Sequence, residues 1–228
     1  MRILLILVLV TPNLLFSKII LSEETNLVNG EIKIPGTLSY PLSEEKIPLA
    51  IYVHGSGNID RNGNQAGTFV QANYIKTLAD SLTTYGIAFY RYDKRTARTD
   101  NLTKSTRITL NNFVADVKIA IAHFKKDVRF SGIHLIGHSQ GSLVAMLASS
   151  SDIKSYISIA GASTTIDTVI TNQLAKQNKE MAKAATNHFN ELKKTDTILK
   201  VNPFLHSIFA PQNQKFIANW MSFNPSKE

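Results

Sequence analysis

Four short, nearly unbroken apolar runs punctuate the middle of the chain: Leu49 to Val53, Ile87 to Tyr92, Ile133 to Ile136 and Tyr156 to Ala160. Runs of this length without polar alternation are the mark of strands covered on both faces. Between them, apolar residues recur at three- and four-residue steps: Ile75, Leu78 and Leu82 in one segment, Phe113, Val117, Ala120 and Phe124 in the next, then Leu143 to Ala148. That spacing lays an apolar stripe along one side of a helix. Strand and helix therefore alternate, which predicts an α/β fold with a mostly parallel sheet flanked by helices. Upstream, Ile32, Ile34 and Leu38 lie in a stretch broken by Gly and Pro, and Asn29-Gly30 is a hairpin signal, so a pair of antiparallel strands is expected to lead into the sheet.

After Gly161 the pattern changes. Ile166, Ile170 and Leu174, then Met181, Ala185, Phe189 and Leu192, recur at helical spacing on polar backgrounds, and Phe216, Ile217, Trp220 and Met221 suggest one more short helix. Residues 18–162 are thus expected to form the core and residues 163–228 a helical cap inserted into it. Residues 1–17 read as a signal peptide: Arg2 precedes the apolar run Ile3 to Val10, which is shorter than the roughly 20 residues needed to cross a bilayer. The protein is therefore expected to be exported to a periplasmic or extracellular location, without stable membrane insertion after cleavage.

Composition narrows the chemistry. The 228 residues suit one domain with a sizeable core. The net charge of +8 is spread along the chain without a basic block, which gives no reason to expect a nucleic-acid partner. There are no cysteines, so disulfides, thiolate metal sites and a cysteine nucleophile are excluded together. Catalysis must use Ser, His and carboxylates, and neither a metal nor a cofactor is expected.

The strongest chemical signal is Gly137-His138-Ser139-Gln140-Gly141, placed directly between the run Ile133 to Ile136 and the helical Leu143 to Ala148. A G-x-S-x-G sequence between strand and helix is a nucleophile elbow, in which flanking glycines permit a turn tight enough to present the serine hydroxyl. Ser139 is the candidate nucleophile. The N–H of Gln140, at the start of the following helix, faces negative charge forming there. A second motif, His54-Gly55-Ser56-Gly57-Asn58, closes the earlier run and continues into Asp60-Arg61-Asn62-Gly63-Asn64. Its small residues suit an oxyanion loop, with Ser56 as second donor beside Gln140 and Gly57 as the alternative. Gly137, His138, Gly141, His54 and Gly55 are expected to support the two loops, His54 through its ring.

These motifs together resemble the bacterial α/β-hydrolases of the serine aminopeptidase-like type, a group that includes carboxylesterases. The resemblance rests on four motifs in order: His54 to Asn64, Tyr92-Asp93-Lys94-Arg95, the Gly137 to Gly141 elbow, and Ile159-Ala160-Gly161 leading into the cap. Where many relatives continue the second motif with a glycine-rich turn, this chain has Thr96, Ala97 and Arg98. Asp93 and Arg95 read as turn and ion-pair residues. The resemblance implies an ester hydrolase acting on a small-molecule ester, with a peptidase as the alternative. It also implies that a triad acid and histidine follow the nucleophile, on loops after later strands. Only His188 and His206 follow Ser139, both within the cap. The chain is therefore expected to be incomplete, lacking the last strands of the fold along with the triad Asp and His, which would leave Tyr156 to Ala160 as an unpaired, apolar edge strand. A non-catalytic scaffold is the competing expectation. His188 and His206 are expected to be cap surface residues, and His134 and His138 to pack against the sheet.

Overall fold

The computed structural model describes residues 18–104 and 107–228. The signal-peptide expectation lies outside them. Among the described residues six strands form one sheet in the order β1-β2-β4-β3-β5-β6. The antiparallel hairpin β1 (Ile20–Asn29) and β2 (Ile32–Pro41) pairs antiparallel to β4 (Ala88–Tyr92). Beyond it, β4, β3 (Ile47–Val53), β5 (Phe130–His138) and β6 (Ile153–Ile159) run parallel. The sheet is thus mixed, a parallel block carrying an antiparallel hairpin. Gly30 turns that hairpin at φ 61°, the positive value a two-residue turn demands.

Side-chain alternation along the central strands explains why they read as unbroken apolar runs. Leu49, Ile51 and Val53 of β3, with Ala88, Tyr90 and Tyr92 of β4, enter the larger core. Helices α3 (Leu110–Phe124) and α4 (Gln140–Ala148) cover that face. Ala50, Tyr52 and Phe89 point to the opposite face, where Ile75 and Ala79 of α1 (Tyr74–Thr84) cover them. Two short elements, a 3₁₀ turn at Arg95–Ala97 and α2 (Thr99–Leu102), lead from β4 towards α3. The Thr96-Ala97-Arg98 departure from the family pattern thus folds as a tight turn.

The expectation for Tyr156 to Ala160 needs correcting. Among the described residues β6 is the last strand of the sheet, in line with the edge expected there, but it is not covered on both faces: Ile157 and Ile159 are 47% and 41% exposed. Only Ile153 and Tyr156 pack partly against the larger core. The strand is apolar as expected, but among the described residues no helix buries Ile157 and Ile159 on its other side.

The cap has a core of its own. In α5 (Ile166–Gln177) and α6 (Lys179–Thr195), Ile170, Leu174, Ala185, Phe189 and Leu192 meet Leu205 and Phe209. The Asn178 side chain caps α6 by accepting from the N–H groups of Glu180 and Met181 at 2.9 and 3.1 Å. After the short α7 (His206–Phe209), α8 (Pro211–Met221) ties the two units together. Its Ile217 and Met221 join the cap core, while Phe216 and Trp220 pack on the main core. Asn219 Oδ1 accepts from the Leu110 N–H at 2.8 Å.

Candidate active site

The elbow is built as its sequence requires. Ser139 stands between β5 and α4 with φ 52° and ψ −117°, a conformation that L-residues avoid. Three contacts hold the turn: Ser139 N–H donates to Ile159 O at 2.9 Å, Ser142 Oγ donates to Gly137 O at 2.8 Å, and the Tyr156 hydroxyl donates to Ser142 O at 2.7 Å. A side chain on Gly137 would meet Gly141 O at 2.5 Å and Ser142 Cα at 2.6 Å. One on Gly141 would run into the Val53 and His54 carbonyls. Gly55 passes over the elbow, a Cβ there lying 3.0 Å from His138 Nδ1 and 3.5 Å from Ser139 Cβ. The loop after β3 and the elbow are therefore packed directly together.

The strain at Ser139 has a measurable consequence. An L-residue in such a conformation costs on the order of 1–3 kcal/mol, which a glycine largely escapes. Ser139→Gly is expected to raise unfolding stability by about 1 kcal/mol after allowing for the freer unfolded chain. Denaturant melts of the two proteins check this; equal or lower stability for the glycine variant would mean the turn is not strained.

The cleft at the carboxyl ends of the strands has a volume of about 1060 Å³. Ser139, Gln140, Ser56 and Gly57 line its floor, and Ile166, Ile170, Ile208 and Trp220 are among the apolar residues of its cap side. Ser56 and Gly57 are exposed, and Gly57 holds φ 102°, a value that calls for glycine. Gln140 is the first residue of α4, so its N–H has no acceptor within the helix. Asp60 organises the loop that follows by accepting from the Asn62 and Asn64 N–H groups at 2.8 and 2.9 Å. Arg61 reaches out to Asp93 through Nε at 3.0 Å and Nη2 at 3.1 Å. Burial alone would raise the Asp93 carboxyl, but these bonds outweigh it and hold it below the usual range. Arg95 forms a buried two-pronged pair with Asp116, at 2.7 and 2.5 Å. The reading of Asp93 and Arg95 as ion-pair residues matches these contacts.

The histidines fall into distinct environments. His54 is buried between the rings of Tyr52 and Tyr92, at centroid distances of 5.7 and 4.7 Å. Burial and then the neighbouring Lys94 charge push its pKa down to about 3, so it is a neutral spacer beneath the loop. His134 pairs through Nδ1 with Ser155 Oγ at 2.7 Å across β5 and β6. His138 lies against the loop after β3, with Tyr74 at 6.1 Å. His206 is an exposed cap residue, as expected. His188 corrects the surface expectation: it is buried in the cap, its ring 5.1 Å from Phe209 and its Nε2 accepting from the Asn202 N–H at 3.0 Å. The amide makes its burial tolerable on an otherwise polar helix. Neither His188 nor His206 lines the cleft. Among the described residues no histidine is hydrogen-bonded to Ser139, and no cluster of three or more His, Cys, Asp or Glu is arranged to hold a metal. No described helix is long and apolar enough to cross a membrane.

One residue of the site was not singled out from the sequence. Lys94 is 5% exposed, and its Nζ donates to Gly55 O at 2.7 Å and to Gln140 Oε1 at 2.8 Å. Nζ also lies 4.4 Å from the Phe113 ring centroid. Burial lowers its pKa to about 7. The available signal was its place in Tyr92-Asp93-Lys94-Arg95, at the carboxyl end of a central strand where ligand sites of α/β sheets gather.

A mixed sheet covered by helices, a serine on a strained strand-to-helix turn and a cleft above it define the α/β-hydrolase class. Within that class the palmitoyl protein thioesterase family model matches residues 50–225, and the chain belongs to that family. Among solved structures, the α/β hydrolase GrgF from Penicillium sp. sh18 is similar with a TM-score of 0.55 and 15% identity, over 90% of this chain and 74% of that one. The protein PA2218 from Pseudomonas aeruginosa is similar with a TM-score of 0.53 and 9% identity, over 90% and 72%. Est1E from Butyrivibrio proteoclasticus shares 22% identity over 67% of this chain with a TM-score of 0.47, and the chain spans about half of it, 54%. No curated protein matches this chain in sequence.

Proposed function

We propose that the protein is a serine hydrolase acting on carboxylic esters of small to medium acyl groups. The observation that carries this reading is Ser139 held at φ 52° on the elbow, on the floor of a cleft shared with Ser56, Gly57 and Gln140. In the proposed reaction Ser139 Oγ attacks the ester carbonyl carbon and the hydroxyl proton passes to a base. The N–H groups of Gln140 and Ser56, with Gly57 the alternative to Ser56, receive the developing oxyanion. Collapse expels the alcohol and leaves an acyl-enzyme, which water then hydrolyses. The apolar cap side of the cleft supports binding of the acyl chain there. Export belongs to the same reading and rests on Arg2 and the apolar run Ile3 to Val10.

A thioester is the second reading, favoured by the description of the matched family. Hydrolysis rates of an oxygen ester and a thioester with the same acyl chain separate the two.

Labelling with a fluorophosphonate, followed by intact mass, tests the nucleophile. With no base bonded to Ser139 among the described residues, labelling is expected to be slow, as loss of a triad member leaves only about 10³–10⁴-fold catalysis over water. It is expected to vanish in Ser139→Ala and to persist in His188→Ala and His206→Ala. Unchanged labelling of Ser139→Ala would remove Ser139 from the mechanism, and loss of labelling in either histidine variant would make the cap the source of the base.

A further inference from the structure

Lys94 is a buried titratable group that the reaction outlined above does not use, and both hydrogen bonds from its Nζ end on the loops that carry the oxyanion donors. The first acceptor is the carbonyl of Gly55. That carbonyl and the Ser56 N–H belong to one planar, trans peptide unit, so they point in opposite directions and cannot rotate independently. Holding Gly55 O towards the interior therefore turns the Ser56 N–H the other way, and Ser56 is a cleft-lining residue. The second acceptor is the side chain of Gln140, the residue whose backbone N–H opens α4 beside Ser139. One ammonium thus ties together two segments that meet only at the site, the loop after β3 and the elbow after β5. A backbone bond from Lys94 N–H to Ile59 O at 3.1 Å attaches the lysine to the far end of the same loop.

We propose that Lys94 is a positioning residue of the oxyanion hole, fixing the Ser56 peptide plane and the Gln140 residue relative to each other. Gly55 contributes only its carbonyl at this contact, and Phe113 closes over the ammonium from α3. Donor geometry of this kind must hold within about 0.5 Å to be useful in a transition state. The bonds persist if Nζ loses a proton, since a neutral amine keeps two N–H groups for its two acceptors. The inference rests on the Ser139 reading for its catalytic consequence, but its structural content is independent of turnover.

The test uses the full chain with Lys94→Met and with Gln140→Ala, the latter cutting the tie from the other side while leaving Lys94 and the Gln140 N–H in place. With p-nitrophenyl acetate, Lys94→Met is expected to lower kcat about 10- to 100-fold, below the 10²–10³-fold for outright loss of an oxyanion donor, and to change KM less than about threefold. Gln140→Ala is expected to give a smaller loss, and the double variant to match Lys94→Met rather than multiply the two. Hydrogen exchange of the Asp60 and Ala66 amides, which donate within the loop after β3 at 2.9 and 2.8 Å and need no turnover to be read, is expected to quicken at least about tenfold in Lys94→Met while exchange in β3 and β5 stays as in the parent. If Lys94→Met fails to fold, Gln140→Ala carries both measurements. Parent-like kcat and loop exchange in a folded Lys94→Met, or a loss confined to KM, would overturn the proposal. Parent-level turnover in Ser139→Ala would overturn the nucleophile reading instead, and the exchange result would still decide the role of Lys94.

Discussion

Gly141→Ala is expected to destabilise the protein by about 3 kcal/mol or more, the upper end of what overpacking costs in a tight core. A Cβ at this position would press on the carbonyl oxygens of Val53 and His54 and lie 2.6 Å from Val53 C. All three atoms belong to the backbone at the end of β3, the central strand that pairs with both β4 and β5, and no rotamer change can move them aside. Relief would require α4 to shift away from the sheet, opening the contacts that Leu143, Val144 and Ala145 make in the larger core. Gly30→Ala is the control: its Cβ would meet nothing within 4 Å, so only the cost of a positive φ remains, roughly 1 kcal/mol. Guanidinium melts compare the two. A Gly141→Ala midpoint no lower than that of Gly30→Ala would show that the elbow can yield.

Asp116→Ala is expected to cost about 3–5 kcal/mol, the usual result of removing one partner from a buried ion pair. Arg95 and Asp116 are 4% and 2% exposed, and both carboxylate oxygens are taken by the guanidinium. Asn29 Nδ2 donates to the same carboxylate at 2.9 Å from the end of β1. The truncation therefore strands a buried cation and also unhooks the tip of the hairpin from α3. Replacing both partners by apolar residues, Arg95→Met with Asp116→Leu, is expected to recover most of the loss, since no charge is then left unpaired. The exposed pair Lys76–Asp80 on α1 makes the comparison, where removing the acid should leave the melt nearly unchanged. Urea denaturation of the four proteins settles the order. Asp116→Ala melting with the parent would mean that water reaches Arg95.

Much of this architecture is legible in the sequence because the central strands satisfy two faces at once. Leu49, Ile51 and Val53 need one core and Ala50 and Tyr52 the other, so no polar residue interrupts the run. The elbow was legible for a steric reason, since glycine at 137 and 141 is the residue type that lets strand and helix approach so closely. What stayed hidden depends on neighbours distant in sequence. The run around Tyr156 has the composition of a strand covered on both faces; its place at the sheet edge follows from the expected lack of later strands, but the exposure of Ile157 and Ile159 is not encoded in local pattern. His188 occupies a polar-looking helix, and only the Asn202 amide, fourteen residues on, explains its burial. Lys94 and Asp116 each look like ordinary surface charges until the loops that meet them are placed. The spacing of Lys94 from Gly55 and Gln140 along the chain carries no periodic signal.

The positive φ at Ser139 bears on how this protein would drift under different pressures. A screen that rewards only heat tolerance has a downhill path at the one position where the hydroxyl is presented, because the serine there is held against the preference of its own backbone. Variants enriched in such a screen are expected to lose Ser139 early. A library meant to harden this scaffold while keeping the proposed chemistry must therefore fix position 139 before selection begins.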